Sequence, residues 1–209
     1  MNGSDEPRFR IIFSVLLILF GLIRGYYARR GQSSGIRVSM QERWDELVKY
    51  EGRTNVLLRV IGFLVLIIAV ILYIAHPQWM EWPTIPIPEW LRWLGVGLGA
   101  ASLPLLIWVQ HVLGKYFSYN LEQRENHKLV TDGPYHWVRH PIYTVIIRWS
   151  IAISFVSANL FIILLTIIAI PSLYARTFKE ERMLIERFGD EYLVYMQHTG
   201  RLFPRFIHK

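Results

Sequence analysis

Two polar stretches of this 209-residue sequence, Asn120 to Tyr143 and Arg176 to Pro204, hold the side chains best suited to chemistry. The first supplies His127, Tyr135, His140 and Tyr143, and the second supplies Arg176, Glu180 and Glu181. On a helix, Arg176 and Glu180 share one face, being four residues apart. A planar guanidinium can hold a carboxylate in fixed geometry, and either histidine can accept a proton from an amine. Each residue also has a plainer reading. His140 before Pro141 marks a helix start. Glu180 and Glu181 make a solvated face balanced by Arg176, Lys179 and Arg182. The tyrosines suit a membrane interface. The sequence has no cysteine, which removes disulfides, thiolate metal sites and cysteine nucleophiles. Its histidines and acids show no spacing such as His-Glu-x-x-His, so no metal is expected.

The elements that must position these groups are apolar. Hydrophobic residues make up 53% of the chain and charged ones only 19%, and the apolar residues fall in blocks of about 16 to 24, long enough to cross a bilayer. The pattern predicts an all-α polytopic membrane protein with about five transmembrane helices. The first block runs from about Phe9 to Tyr27 and, lacking a small-residue cleavage site, reads as a retained anchor. The second runs from Val56 to Ala75 and the third from Trp90 to Leu113. Two shorter blocks, Ile142 to Val156 and Leu160 to Tyr174, flank the turn-like Ser157, Ala158 and Asn159 and read as a helical hairpin. Each gives only about 23 to 25 Å of helix and needs its polar flanks to span. Organisation follows as three N-terminal helices over 1–114 and a site-bearing region over 115–209. Gly95, Gly97 and Gly99 do not form a nucleotide-binding turn, because they lie inside an apolar block rather than after a strand. Gly95 and Gly99 instead form a small-xxx-small pair for close helix approach.

The net charge of +7 clusters beside the apolar blocks, which reads as topology and lipid-headgroup contact rather than nucleic-acid binding. Arg24, Arg59 and Arg148 lie within apolar blocks. Those near the ends can snorkel, whereas Arg148 sits deeper and is a functional candidate by default.

The runs His127-Lys128-Leu129-Val130, Gly133-Pro134-Tyr135 and Arg139-His140-Pro141-Ile142-Tyr143, followed by Glu180-Glu181, Phe188-Gly189-Asp190-Glu191-Tyr192 and Tyr195, resemble the signature of the isoprenylcysteine carboxyl methyltransferase family. The resemblance implies a methyltransferase whose S-adenosyl-L-methionine pocket is built from both polar stretches and closed by membrane helices, without a Rossmann domain. Carried over by position, Asn120, His127, Lys128, Leu129, Val130, Tyr135, His140, Pro141, Ile142, Tyr143, Glu180 and Glu181 would surround the cofactor. Arg176 would lie toward the acceptor carboxylate of a prenylated cysteine or similar lipophilic, lipidated substrate, and Arg148, outside the family pattern, is a further acceptor contact. Independently, a cofactor with a carboxylate, an ammonium, a sulfonium and a purine needs a cation, an anion and flat apolar walls, and the two stretches offer all of them. The same signature is similar to phospholipid N-methyltransferases and thiol S-methyltransferases, and more remotely to NADPH-binding sterol reductases. A non-catalytic membrane adaptor is the reading from a different class.

Lys and Arg are dense between the first and second blocks and absent from His76 to Trp90, which predicts an outside N terminus and a cytoplasmic site and C terminus. Single cysteines at Thr84 and Thr131 should therefore be labelled by an impermeant reagent from opposite sides of the membrane. Labelling from the same side overturns this topology.

Overall fold

The computed structural model describes residues 6–33, 52–77, 83–114 and 129–205, with the isolated positions 41, 44 and 48. The described residues form six α-helices: α1 Glu6–Ser33, α2 Arg53–Ala75, α3 Glu89–Leu113, α4 Pro141–Ser157, α5 Leu160–Phe188 and α6 Asp190–His198. A 3-10 turn, Gly133–His136, precedes α4. Helices α1, α2, α3 and α5 are long and apolar enough to cross a membrane, whereas α4 is a shorter apolar helix of 17 residues. The chain is a polytopic integral membrane protein. The exposed surface of α2 shows why: Leu58, Ile61, Phe63, Leu64 and Ile71 are each more than half exposed, a contiguous apolar surface that suits lipid and not water.

Local signals set the helix ends. Pro141 occupies the first turn of α4, where its missing N–H is no loss. His76 and Ala158 close α2 and α4 in the left-handed conformation, each donating its N–H back to the last turn. Asn159 starts α5 by accepting from the N–H groups of Phe161 and Ile162 at 3.0 and 3.3 Å, an N-cap that leaves only two residues between the helices. The expected hairpin is present, but its second arm does not end near Tyr174. Helix α5 continues through Pro171 to Phe188, because Ala175 to Arg187 keep helix-forming residues and no breaker until Gly189. At about 1.5 Å per residue its length is roughly 43 Å, well beyond the hydrocarbon core. Gly189, at φ 55°, both ends α5 and caps α6, whose first residue is Asp190.

The small-residue pair acts as expected. A Cβ placed on Gly95 would lie 2.7 Å from Cβ of Phe155 and 2.8 Å from the carbonyl of Ala152, whereas one on Gly97 would meet nothing. One on Gly99 would meet Leu16 at 3.2 Å and Ala152 at 3.7 Å. Helix α3 therefore lies backbone-close on α4, with α1 wedged alongside through Leu16 and the stacked rings of Phe20 and Trp149, 4.3 Å apart. At the hairpin end, Arg92 is buried. It bonds Glu6 at 2.6 Å, donates to the carbonyl of Val156 at 2.9 and 3.1 Å, and lies 4.0 Å over the Phe9 ring. This one cation ties α1, α3 and the C-terminal end of α4, whose last carbonyls lack intrahelical donors. The same end joins the α2–α3 connection: Ile85 donates to Ala158 and Leu160 to Pro83, at 2.7 and 2.8 Å.

Replacing Gly95 by Ala should destabilise the detergent-solubilised protein by about 1–3 kcal/mol, since backbone stands where the methyl must go. Replacing Gly97 by Ala should leave the melting temperature unchanged or raised. Equal effects at the two positions in a thermal melt contradict this packing.

Candidate functional site

The end opposite the hairpin turn is built by three chain segments: the loop before α4, the far end of α5 and the segment after α6. The loop 137–140 runs beside 199–202, with Arg139 N–H donating to Gly200 at 2.8 Å, His140 N–H to Arg201 at 3.1 Å and Gly200 N–H to Trp137 at 3.2 Å. Thr144, one turn into α4, donates to the carbonyl of Leu202 at 2.7 Å. Gly133, at φ 59°, makes the tight entry: a Cβ there would stand 3.1 Å from Val112 of α3.

Two adjacent carboxylates on α5 meet this loop in different ways. Glu180 accepts from the Tyr143 hydroxyl and from Nε of Arg176 at 3.0 Å, and its Oε2 lies 3.5 Å from Nδ1 of His140. Glu181 is buried and accepts from Nε of Arg139 at 2.9 Å and from Nε and NH2 of Arg201 at 3.1 and 2.5 Å. Its Oε1 is also 3.3 Å from Nε2 of His140. That contact lacks hydrogen-bond alignment, for Nε2 is a buried nitrogen without a hydrogen-bond partner among the described residues. Burial alone pushes the His140 imidazole toward its neutral form, but the two carboxylates more than reverse this, so its pKa is raised above the ordinary 6.5.

Beside the charged groups stands an apolar wall. Tyr135, Val145, Leu106 and Val109 are buried together, with Val130, Ile142, Phe20 and Ile23 packed against them. The Tyr135 carbonyl accepts from the Tyr195 hydroxyl of α6 at 2.5 Å. Burial pushes the Tyr195 pKa up to about 12, so this hydroxyl remains a donor at neutral pH.

Of the residues singled out in the sequence, the structure gathers Val130, Tyr135, His140, Pro141, Ile142, Tyr143, Arg176, Glu180 and Glu181 at this end. Leu129 is half-buried at the start of the loop. Asn120, His127 and Lys128 lie outside the described residues. Arg148 lies within α4, with Pro141 and Val145 near its own face of the helix. Its buried Nε has no hydrogen-bond partner among the described residues. The sequence reading assigned no role to Arg139, Arg201 or Tyr195. Arg139 and Tyr195 stand within the quoted runs, but nothing local to Arg201 pairs it with an acid twenty positions earlier.

Residues 95–186 match the isoprenylcysteine carboxyl methyltransferase family. The chain is similar to the protein-S-isoprenylcysteine O-methyltransferase of Tribolium castaneum, 37% identical over 84 residues, covering 40% of this chain and 30% of that protein. It is similar also to that of Homo sapiens, 31% identical over 140 residues, covering 62% and 49%. With the Schizosaccharomyces pombe protein it is 26% identical over 209 residues, covering 92% and 82%. Against the first and the second of these relatives, the chain spans half of their length or less.

The raised pKa of His140 fixes the sign of a pH dependence. Its charged form adds stability in full below the unfolded value of about 6.5, and this is lost as pH rises through the higher folded value. The melting temperature in detergent should therefore fall as pH is raised above about 6.5, and His140→Gln should remove that part of the slope. A parent and variant with parallel pH profiles would place His140 in a neutral role.

Proposed function

We propose that this chain, which carries the isoprenylcysteine carboxyl methyltransferase family region over residues 95–186, transfers a methyl group from S-adenosylmethionine to the carboxylate of a prenylated cysteine or similar lipophilic acceptor. The carrying observation is the Glu180 carboxylate, held by Tyr143, Arg176 and His140 at the end of a membrane-spanning helix. The donor set fits the cofactor. An ammonium finds its acceptor at Glu180, and the purine finds flat walls in Tyr135, Val130 and Ile142. Leu129 and the positions 120, 127 and 128 complete the set by resemblance.

S-adenosylmethionine supplies a methyl carbon on a positive sulfur, open to in-line attack. The acceptor carboxylate is ionised at neutral pH and needs no general base. The task of the protein is orientation and exclusion of water. Arg176 carries a planar guanidinium, which suits holding a carboxylate in fixed geometry. The apolar faces of the membrane helices take the prenyl chain, each buried methylene contributing roughly 0.8 kcal/mol. The positive-inside pattern puts this end in the cytoplasm and the hairpin turn outside, and the catalytic region is then 115–209.

The test is methyl transfer in detergent or lipid with a farnesyl-cysteine analogue beside phosphatidylethanolamine and a small thiol. The farnesyl-cysteine analogue should be methylated, and activity should rise with prenyl length. Glu180→Ala should weaken S-adenosylmethionine binding by about 1.5–3 kcal/mol. Arg176→Lys keeps the charge but loses the fork, so turnover should fall well beyond any change in cofactor affinity. Methylation of the thiol with Arg176→Lys equal to the parent would sink the carboxylate assignment.

A further inference from the structure

The buried carboxylate Glu181 is enclosed by cations. Its two oxygens receive three hydrogen bonds from Arg139 and Arg201 and stand against the imidazole of His140. A carboxylate so occupied has little capacity left for a ligand, which separates it from its neighbour Glu180. Arg201 comes from the segment after α6, beyond the family-matched residues 95–186. Its guanidinium lies between Glu181 and the face of Phe178, 3.6 Å from the ring centroid. The backbone of the same segment is bonded to the loop carrying His140. Arg139 reinforces the closure by donating to the carbonyls of Met196, at 3.2 Å, and Thr199.

We propose that Arg201 is a positioning residue for the methyl-transfer site: by neutralising and fixing Glu181, it sets the orientation and charge of His140 and clamps the 199–202 segment onto the loop. This rests on the methyltransferase reading for its effect on the cofactor, but not for its effect on His140. The groups against the imidazole are Glu180 and Glu181 from α5 and Tyr143 from α4; behind the carboxylates stand Arg176 at Glu180, Arg139 and Arg201 at Glu181, and Tyr192 of α6, with Tyr195 beside Arg139. Two substitutions in one cluster then have opposite effects. Arg201→Ala removes a cation and frees the Glu181 charge to act on His140, so the imidazole should titrate at higher pH. Glu181→Gln removes the anion, so it should titrate at lower pH. A residue that merely holds the fold together predicts no such opposition.

The experiment follows the His140 imidazole by NMR in detergent, its resonance assigned by loss in His140→Gln, in the parent, Arg201→Ala, Arg201→Lys and Glu181→Gln. The expected result is opposite shifts for the two charge-removing variants and a parent-like titration for Arg201→Lys. S-adenosylmethionine affinity, measured on the same samples, should fall about tenfold in Arg201→Ala, equivalent to one hydrogen bond to a charged group. It should recover in part when free guanidinium is added. If Arg201→Ala does not fold, Arg201→Gln, which also removes the cation but keeps hydrogen-bond donors, carries the comparison with Glu181→Gln. Unchanged or same-direction titrations overturn the inference whether or not the chain binds the cofactor. A parent that binds no S-adenosylmethionine overturns the proposed function instead, and the titrations alone then decide the clamp.

Discussion

A buried carboxylate surrounded by cations is the interaction on which the working end of this molecule depends. Glu181 faces the low-dielectric boundary of a membrane bundle, where an unpaired charge costs several kcal/mol. Arg139 and Arg201 remove that cost, and each arrives on a different stretch of chain. Satisfying one acid therefore fixes three segments at once: the loop that delivers His140 and Pro141 to α4, the C-terminal half of α5, and the turn after α6. Removing one partner of such a buried group typically costs about 3–5 kcal/mol, a large share of the stability of a small domain.

The opposite end repeats the logic with the signs exchanged. There the buried charge is a cation, Arg92, answered by Glu6 and by the free carbonyl of Val156. Between the two ends α3 and α4 touch through glycine, so dispersion between backbones does the work that hydrophobic burial cannot do in lipid. The bundle is thus close-packed in the middle and locked by charge at both ends.

This arrangement has a chemical use. Helix α5 is longer than the hydrocarbon core, so one continuous rod carries lipid-facing residues near Leu164 and Ile168 and the acids Glu180 and Glu181 beyond them. Under the proposed function, an amphiphilic acceptor lying along that rod would have its chain in the membrane and its head level with Tyr143, Arg176 and Glu180. Adjacent acids diverge because consecutive residues on a helix point about 100° apart: one meets Tyr143 and Arg176, the other is enclosed by Arg139 and Arg201.

The helices themselves were legible in the sequence, because uninterrupted apolar blocks admit no other conformation in lipid and because Pro141, Asn159 and Gly189 punctuate them locally. The close pair Gly95 and Gly99 was readable from spacing alone, and so was the i, i+4 bond between Arg176 and Glu180. The resemblance that pointed to His140, Tyr143 and Glu180 depends on runs of neighbouring residues, which sequence displays directly. Three things were decided only by the fold. The full length of α5 is not readable from its apolar block, which stops at Tyr174, since hydropathy drops where the helix leaves the membrane although the helix continues to Phe188. The cost of Arg148 in lipid is visible in the sequence, but only the fold shows its Nε buried and without a hydrogen-bond partner among the described residues. The separate fates of Glu180 and Glu181 depend on Arg139 and Arg201, which lie 42 and 20 positions from Glu181. Local pattern cannot pair charges at such separations; only the geometry that brings the two loops together can.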